Sequence, residues 1–202
     1  MPVGQGEVQV RAGVEADLPA LTDLYNHYIR ETPITFDLEP FTPEERRPWL
    51  LSHPQDGPHR LLVAQVPAER TKNPHDEPVR EGAAAARRPD LAPAPAPEAT
   101  LLGYATSSAF RPKAAYAPSV EVTVYCAPEA AGRGVGTLLY EALFEALAKE
   151  DVHRAYAGIT QPNEASTRLH TRFGFRPIGT YTEVGRKFGR YWDVAWYQKD
   201  LG

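Results

Sequence analysis

The sequence predicts a single α/β (α+β) domain with a mixed central sheet flanked by helices, and three observations carry that expectation. A valine-rich run with strict alternation, residues 120–126, passes through a glycine loop into an amphipathic helical stretch at 137–149. Strand-like and helix-like runs interleave along the chain instead of segregating into halves. The chain has 202 residues, 42% of them hydrophobic, which suits one core better than two.

The elements follow in order. Val8–Arg11 reads as a first strand. Asp17–Arg30 has helical periodicity, with Leu18, Leu21, Leu24, Tyr25 and Tyr28 on one side and Asp17 placed to cap its start. Thr42-Pro-Glu-Glu opens a second helix, because the first turn needs no proline N–H and acids there meet the positive end of the helix dipole. Leu61–Val66 and Thr100–Thr106 read as strands. In Val120–Cys126 the residues Val120, Val122, Val124 and Cys126 face one way, and Glu121, Thr123 and Tyr125 the other. The stretch 137–149 aligns Leu139, Leu143 and Leu147 beside Tyr140 and Phe144. Arg154–Ile159 is a strand, Glu164–Phe173 a helix stopping at Gly174, and Tyr191–Lys199 an aromatic-rich closing strand.

Residues 67–99 stand apart. Val79 and Leu91 are their only larger aliphatics, proline and alanine dominate, and charges of both signs alternate. Such a stretch cannot bury enough apolar surface to offset its ordering entropy. The expectation is a flexible surface insertion, extended where alanine and proline alternate from Ala92 to Pro97. A partner-docking arm is the functional alternative. Without it the strands at 61–66 and 100–106 form a short hairpin, and closure cost grows only slowly with loop length.

Composition excludes several classes. Charged residues make up 24% and the formal net charge is −4, an ordinary balance that argues against a dedicated nucleic-acid binder. No run approaches the ~18 apolar residues of a membrane span. The first residues lack the basic and apolar regions of a signal peptide. Cys126 is the only cysteine, so no intrachain disulfide forms, and the expected location is the cytoplasm. No metal is expected.

The loop Ala131-Gly-Arg-Gly-Val-Gly-Thr137 lies between a strand and a helix. Glycines there let consecutive amides turn toward one anion, and the helix N-terminus adds its dipole. A nucleotide P-loop needs lysine before Thr137, and a dinucleotide fingerprint needs G-x-G-x-x-G where this loop has G-x-G-x-G. The pattern suits the pyrophosphate of coenzyme A, although the loop alone also fits a plain glycine-rich turn.

Ordered motifs surround it across nearly the whole chain outside 67–99. They are Arg11-Ala12 with Asp17, Tyr25-Asn-His-Tyr-Ile29, Thr35-Phe36, Trp49, Phe110-Arg-Pro-Lys-Ala-Ala-Tyr116 and Val120-Glu-Val-Thr-Val-Tyr125. Asn163, Ser166, Leu169-His170, Gly174-Phe175, the run Val184–Val194 and Gln198 follow. Together they resemble the GNAT acetyltransferases and, within them, the phosphinothricin and methionine sulfoximine acetyltransferase group. The resemblance implies the GNAT acyl-CoA N-acyltransferase fold, acetyl-CoA as cofactor, a small amino-acid acceptor, and a homodimer with the acceptor pocket close to its interface. Two departures stand out. The family loop usually begins with Gln or Arg where this chain has Ala131, which leaves Gly132, Arg133, Gly134, Val135, Gly136 and Thr137 to hold the cofactor. Between Tyr116 and Val120 the chain reads Ala-Pro-Ser, where the group often has a basic or aromatic residue and Thr, and this bears on the acceptor.

Transfer of acetyl to an amine needs a deprotonated amine, a polarised thioester carbonyl, reactants held together and a protonated leaving thiolate. Glu121, opposite the valines and just before the loop, is the candidate general base; a solvated or ion-paired strand residue is the alternative. The resemblance implies that the amides of Val124, Tyr125 and Cys126 polarise the carbonyl. His170 falls where many relatives carry a tyrosine acid and is expected to protonate the thiolate or relay protons, unless it only packs. Asn163 resembles the family asparagine that holds the pantetheine, with a helix cap as alternative, and Ser166 follows on the same helix. A lone Cys126 on the apolar strand face reads as core, not as an acetyl carrier. Arg111 and Lys113 can grip a carboxylate beside Tyr116, while Phe36 and Trp192 line the side-chain pocket or pack. Two other functions remain open. One is acetylation of another amine, a polyamine or a protein N-terminus; Arg111 and Lys113 speak against the polyamine. The other is a non-catalytic acyl-CoA sensor, which Glu121 and His170 speak against.

Overall fold

The computed structural model describes residues 8–67 and 99–202. Among these, seven strands form one sheet: β1 (Gln9–Ala12), β2 (Leu61–Val66), β3 (Thr100–Ala109), β4 (Ser119–Cys126), β5 (Arg154–Thr160), β6 (Arg176–Lys187) and β7 (Arg190–Asp200). The helices are α1 (Leu18–Glu31), α2 (Pro43–Leu51), α3 (Val135–Leu147) and α4 (Glu164–Arg172). The sheet order is β1-β2-β3-β4-β5-β7-β6, antiparallel at every pairing except β4–β5.

Alternation along β4 divides the molecule into two faces. Val120 and Val122 are buried with Leu139, Leu143 and Leu147 of α3 in the main core. Glu121, Thr123 and Tyr125 lie on the other face, with Tyr25 of α1 and Arg46 and Trp49 of α2.

Most predicted elements stand, with shifts that have local causes. Asp17 does not cap α1 with its side chain. It ends a short 3-10 turn, and its carboxylate instead accepts two Arg11 hydrogen bonds at 2.7 Å and the Val14 amide at 2.8 Å. The competing partner is an arginine brought alongside by β1. The start of α2 is as expected: Thr42 accepts from the Glu45 amide at 3.3 Å, and Glu45 accepts from the Thr42 amide at 2.8 Å. Helix α3 begins earlier than its hydrophobic pattern, because Gly134 at φ 77° is the residue that turns the chain into it. Strand β6 was not foreseen. It carries Pro177, Gly179 and Gly185 and is exposed along most of its length, so no alternating pattern marks it.

The predicted hairpin is present, with Leu61 opposite Thr106 and Val66 opposite Thr100. Residues 68–98 lie outside the described residues, and with them nearly all of the expected surface insertion or docking arm.

The functional consequence of the topology lies between β4 and β5. Their parallel pairing runs from Ser119↔Arg154 to Glu121↔Tyr156 and stops. Both strands continue, β4 to Cys126 and β5 to Thr160, and a gap opens between them.

Candidate active site

One side of the gap leads into a cleft of about 360 Å³. Its lining includes Val124 and Cys126 of β4, the loop residues Gly132, Gly134, Val135, Gly136 and Thr137, and Asn163 and Ser166 at the start of α4. The loop is shaped for an anion. The amides of Thr137 and Leu138 both donate to the Gly134 carbonyl, while those of Gly134, Val135 and Gly136 donate to no backbone carbonyl among the described residues. They sit at the positive end of the α3 dipole, which is where a pyrophosphate is stabilised. Arg172 donates to the Thr137 hydroxyl at 3.4 Å and brings a cation to the first turn of α3. A cleft that joins unsatisfied amides at one end to an open strand edge at the other fits coenzyme A, phosphates first and thioester last.

The far end of the cleft is braced. Tyr28 of α1 donates its hydroxyl to the Cys126 carbonyl at 2.7 Å. Asn163 accepts the Ser166 amide at 3.1 Å and so caps α4 with its Oδ1, leaving its Nδ2 donors for a ligand. His170, only 3% exposed, lines the gap. Its Nδ1 lies 2.8 Å from the Ser166 carbonyl and its Nε2 2.8 Å from the Tyr140 hydroxyl. A carbonyl only accepts, so Nδ1 carries the proton and Nε2 takes the hydrogen bond from Tyr140. Burial holds the imidazole below its ordinary pKa, which keeps it neutral. Burial pushes the Cys126 thiol up to about 11.

On the opposite face lies a second cavity of about 330 Å³. Glu121 lines it, one pairing step from where the gap opens. Burial raises the Glu121 pKa and the Arg111 guanidinium partly offsets this, an arrangement that favours proton uptake by the carboxylate. The walls are aromatic. Tyr25, Tyr104 and Tyr125 meet at centroid distances of 5.3 and 5.4 Å, and Trp49 stands 5.7 Å from Tyr104. Arg46 projects among them. Asp37 and Glu45 complete the charged lining, the first accepting the Tyr25 hydroxyl and the second the Thr42 amide.

The structure therefore gathers the expected cofactor residues Val124, Cys126, Gly132, Gly134, Val135, Gly136, Thr137, Asn163 and Ser166 in one cleft. Tyr125 bridges the gap and the second cavity, and Arg133 sits exposed on the loop. The expected acceptor residues are not gathered. Arg111 stacks 4.6 Å over Phe110 and acts on the site through its charge. Lys113 and Tyr116 are exposed on a 3-10 turn before β4. Trp192 donates its indole N–H to the Lys187 carbonyl at 2.9 Å, across the β6–β7 hairpin. Phe36 packs over Gly185, where an added Cβ would stand 2.3 Å from its ring. Sequence reasoning missed Tyr25 and Tyr104 as walls and Arg46 as the buried cation, because their meeting depends on how α1, α2 and β3 pack.

Comparison with known proteins follows this geometry. The pattern of the Acetyltransferase (GNAT) family matches residues 21–175. A phosphinothricin N-acetyltransferase of Streptomyces coelicolor is 64% identical over 198 residues, covering 98% of this chain and 99% of the relative. An L-methionine sulfoximine/L-methionine sulfone acetyltransferase of Pseudomonas aeruginosa is 30% identical over 190 residues, 94% of this chain and 92% of the relative. The solved structure of a GNAT superfamily phosphinothricin acetyltransferase from Sinorhizobium meliloti in complex with AcCoA aligns with a TM-score of 0.76 at 27% identity, covering 96% of this chain and 89% of that one.

Proposed function

The chain belongs to the Acetyltransferase (GNAT) family and is an acetyl-CoA-dependent N-acetyltransferase, and we propose that its acceptor is the α-amine of a small amino acid or analogue of the phosphinothricin and methionine sulfoximine type. The carrying observation is the placement of Glu121 in an aromatic-walled cavity, next to the point where β4 and β5 part.

When bound, acetyl-CoA supplies an activated acetyl thioester. The chain does the rest. The amides of Gly134, Val135 and Gly136 hold the pyrophosphate, with charge from Arg133 and Arg172. Asn163 and Ser166 position the pantetheine. The open edge of β4 at Val124–Cys126 binds the thioester carbonyl. Glu121 takes a proton from the acceptor ammonium, and the raised pKa of its carboxyl suits that task. His170, neutral and joined to Tyr140, serves as a proton relay rather than as a charged acid.

The enzyme works as one catalytic domain, in the cytoplasm, and as a homodimer. Ile178, Tyr181, Val184, Phe188 and Tyr191 are all exposed on β6, β7 and their turn, an apolar surface that a second copy covers. Phe36, packed against Gly185 of β6, links that surface to the acceptor side.

A polyamine acceptor has one observation in its favour, the three carboxylates Asp37, Glu45 and Glu121 around the cavity. Two of them are engaged by Tyr25 and Thr42, which leaves Glu121 as the free one. The test is acetyl-CoA turnover, read by free-thiol release, with phosphinothricin, methionine sulfoximine, spermidine and a short peptide. Release with the two amino-acid analogues is expected. Release confined to spermidine or the peptide would reject the assignment, as would acetyl-CoA binding with no release on any amine.

A further inference from the structure

The aromatic cavity holds a cation that the folded chain does not neutralise. Arg46 follows directly on the Thr42–Glu45 cap, so the first turn of α2 fixes its position. It is only 5% exposed. Its guanidinium lies 4.2 Å from the Tyr25 ring centroid and 3.9 Å from that of Trp49, and Nη1 donates to the Leu21 carbonyl at 3.1 Å. The Tyr25 and Trp49 rings cover the faces of the guanidinium; of the five N–H donors in its plane, one goes to the Leu21 carbonyl and another engages the Tyr104 hydroxyl, and neither acceptor carries a charge. Among the described residues no carboxylate forms an ion pair with it, whereas Arg11 and Arg154 have one carboxylate partner each and Arg60 has two. A buried charge is costly unless something pairs with it.

The cavity's own carboxylates do not fill that role. Asp37 serves Tyr25, and Glu45 caps α2. Glu121 feels the charge of Arg111, while Tyr25, Tyr104 and Tyr125 feel that of Arg46. The cavity thus has a basic end and a separate proton-accepting end, the charge distribution of an amino acid reversed.

We propose that Arg46 recognises an oxyanion of the acceptor, carboxylate or phosphinate, through its planar donor fork, and thereby selects amino-acid acceptors over simple amines. The proposal rests on the acceptor class given above. A bridge between α1 and α2 with no ligand role is the competing explanation, and the test separates them.

Three acceptors suffice: phosphinothricin, its α-carboxamide, and L-2-aminobutyrate, which lacks the phosphinate. With the unaltered enzyme, the acceptor that lacks the group held by Arg46 is expected to lose about 10- to 100-fold in kcat/KM, the size of a charge-assisted hydrogen-bonded pair. Arg46→Met should impose a similar loss on phosphinothricin and add little to the loss of that truncated acceptor, since both remove the same contact. The KM for acetyl-CoA should hold, and the rise in Tm on adding phosphinothricin should shrink. Insensitivity of the carboxamide assigns the carboxylate; insensitivity of aminobutyrate assigns the phosphinate. An equal penalty on all three acceptors overturns the proposal and leaves the acceptor class standing. Turnover of none of the three by the unaltered enzyme overturns both. If Arg46→Met fails to fold, Arg46→Lys makes the same comparison, because it keeps the charge and stem but loses the fork.

Discussion

The two cavities flanking β4 are built by different means. The cleft proposed for the cofactor is a main-chain site: consecutive amides at Gly134, Val135 and Gly136, a helix N-terminus, and the open edge of one strand. The cavity proposed for the acceptor is a side-chain site, assembled from Tyr25, Arg46, Trp49, Tyr104 and Glu121 on four different elements. A main-chain site depends on conformation and should tolerate side-chain change at its rim, for instance at Ala131. A side-chain site depends on identity, so single substitutions there should change chemistry or specificity while cofactor binding persists.

The sharpest way to break this contrast is Glu121→Gln. Removing a general base costs on the order of 10²- to 10⁴-fold in kcat. Glu121 lies outside the cofactor cleft, so the KM for acetyl-CoA should stay within a few-fold. Steady-state kinetics across pH check it, and full turnover by the variant would remove Glu121 from the mechanism. On the other side of β4, Gly134→Val should act in the opposite sense. Gly134 sits at φ 77° with open space around its Cβ position, so the penalty is backbone strain and not a clash. Left-handed backbone at a β-branched residue costs ~1–3 kcal/mol, enough to raise the KM for acetyl-CoA about tenfold as the loop relaxes. The KM for the acceptor should not follow it.

The same division explains what could be read from the sequence. Strands β1 to β5 and the four helices announce themselves through alternation or helical periodicity, and the glycine loop is contiguous in the chain. Glu121 is legible because its alternation with the valines fixes which face it takes. Arg46 is not. It lies in the run Glu44-Glu45-Arg46-Arg47, which reads as a solvated helix face, and the packing of Tyr25, Leu21 and Tyr104 from other elements against Arg46 and Trp49 buries it. Phe36 and Trp192 were expected in the pocket because aromatics suit one, but the Gly185 backbone and the Lys187 carbonyl claim them. Distance in sequence, not subtlety of chemistry, hid the acceptor cavity.

Arg111 tests the boundary between the two kinds of site, since it contributes field without lining the cavity. Burial raises the Glu121 pKa and Arg111 opposes that rise. The proposed base must be deprotonated to act, so activity is expected to climb with pH through the Glu121 pKa. Arg111→Gln removes the opposing charge, raises that pKa further, and should move the acidic limb of the kcat/KM profile to higher pH. Turnover on the plateau above the limb should change little. An unmoved limb would mean that another group controls it.

The smallest effect should come from Cys126→Ala, although Cys126 lines the cofactor cleft itself. What this position contributes is main chain: its carbonyl accepts the Tyr28 hydroxyl, and alanine keeps that bond. Burial lifts the thiol to about 11, so a thiolate able to attack the thioester is a minute fraction at neutral pH. Activity is therefore expected to stay within about twofold, with intersecting rather than parallel double-reciprocal lines for both enzymes. Loss of turnover in the alanine variant, together with an acetylated Cys126 peptide in the unaltered enzyme, would make a side chain essential in the main-chain site. The contrast between the two cavities would then fail at the residue where that cleft carries a thiol.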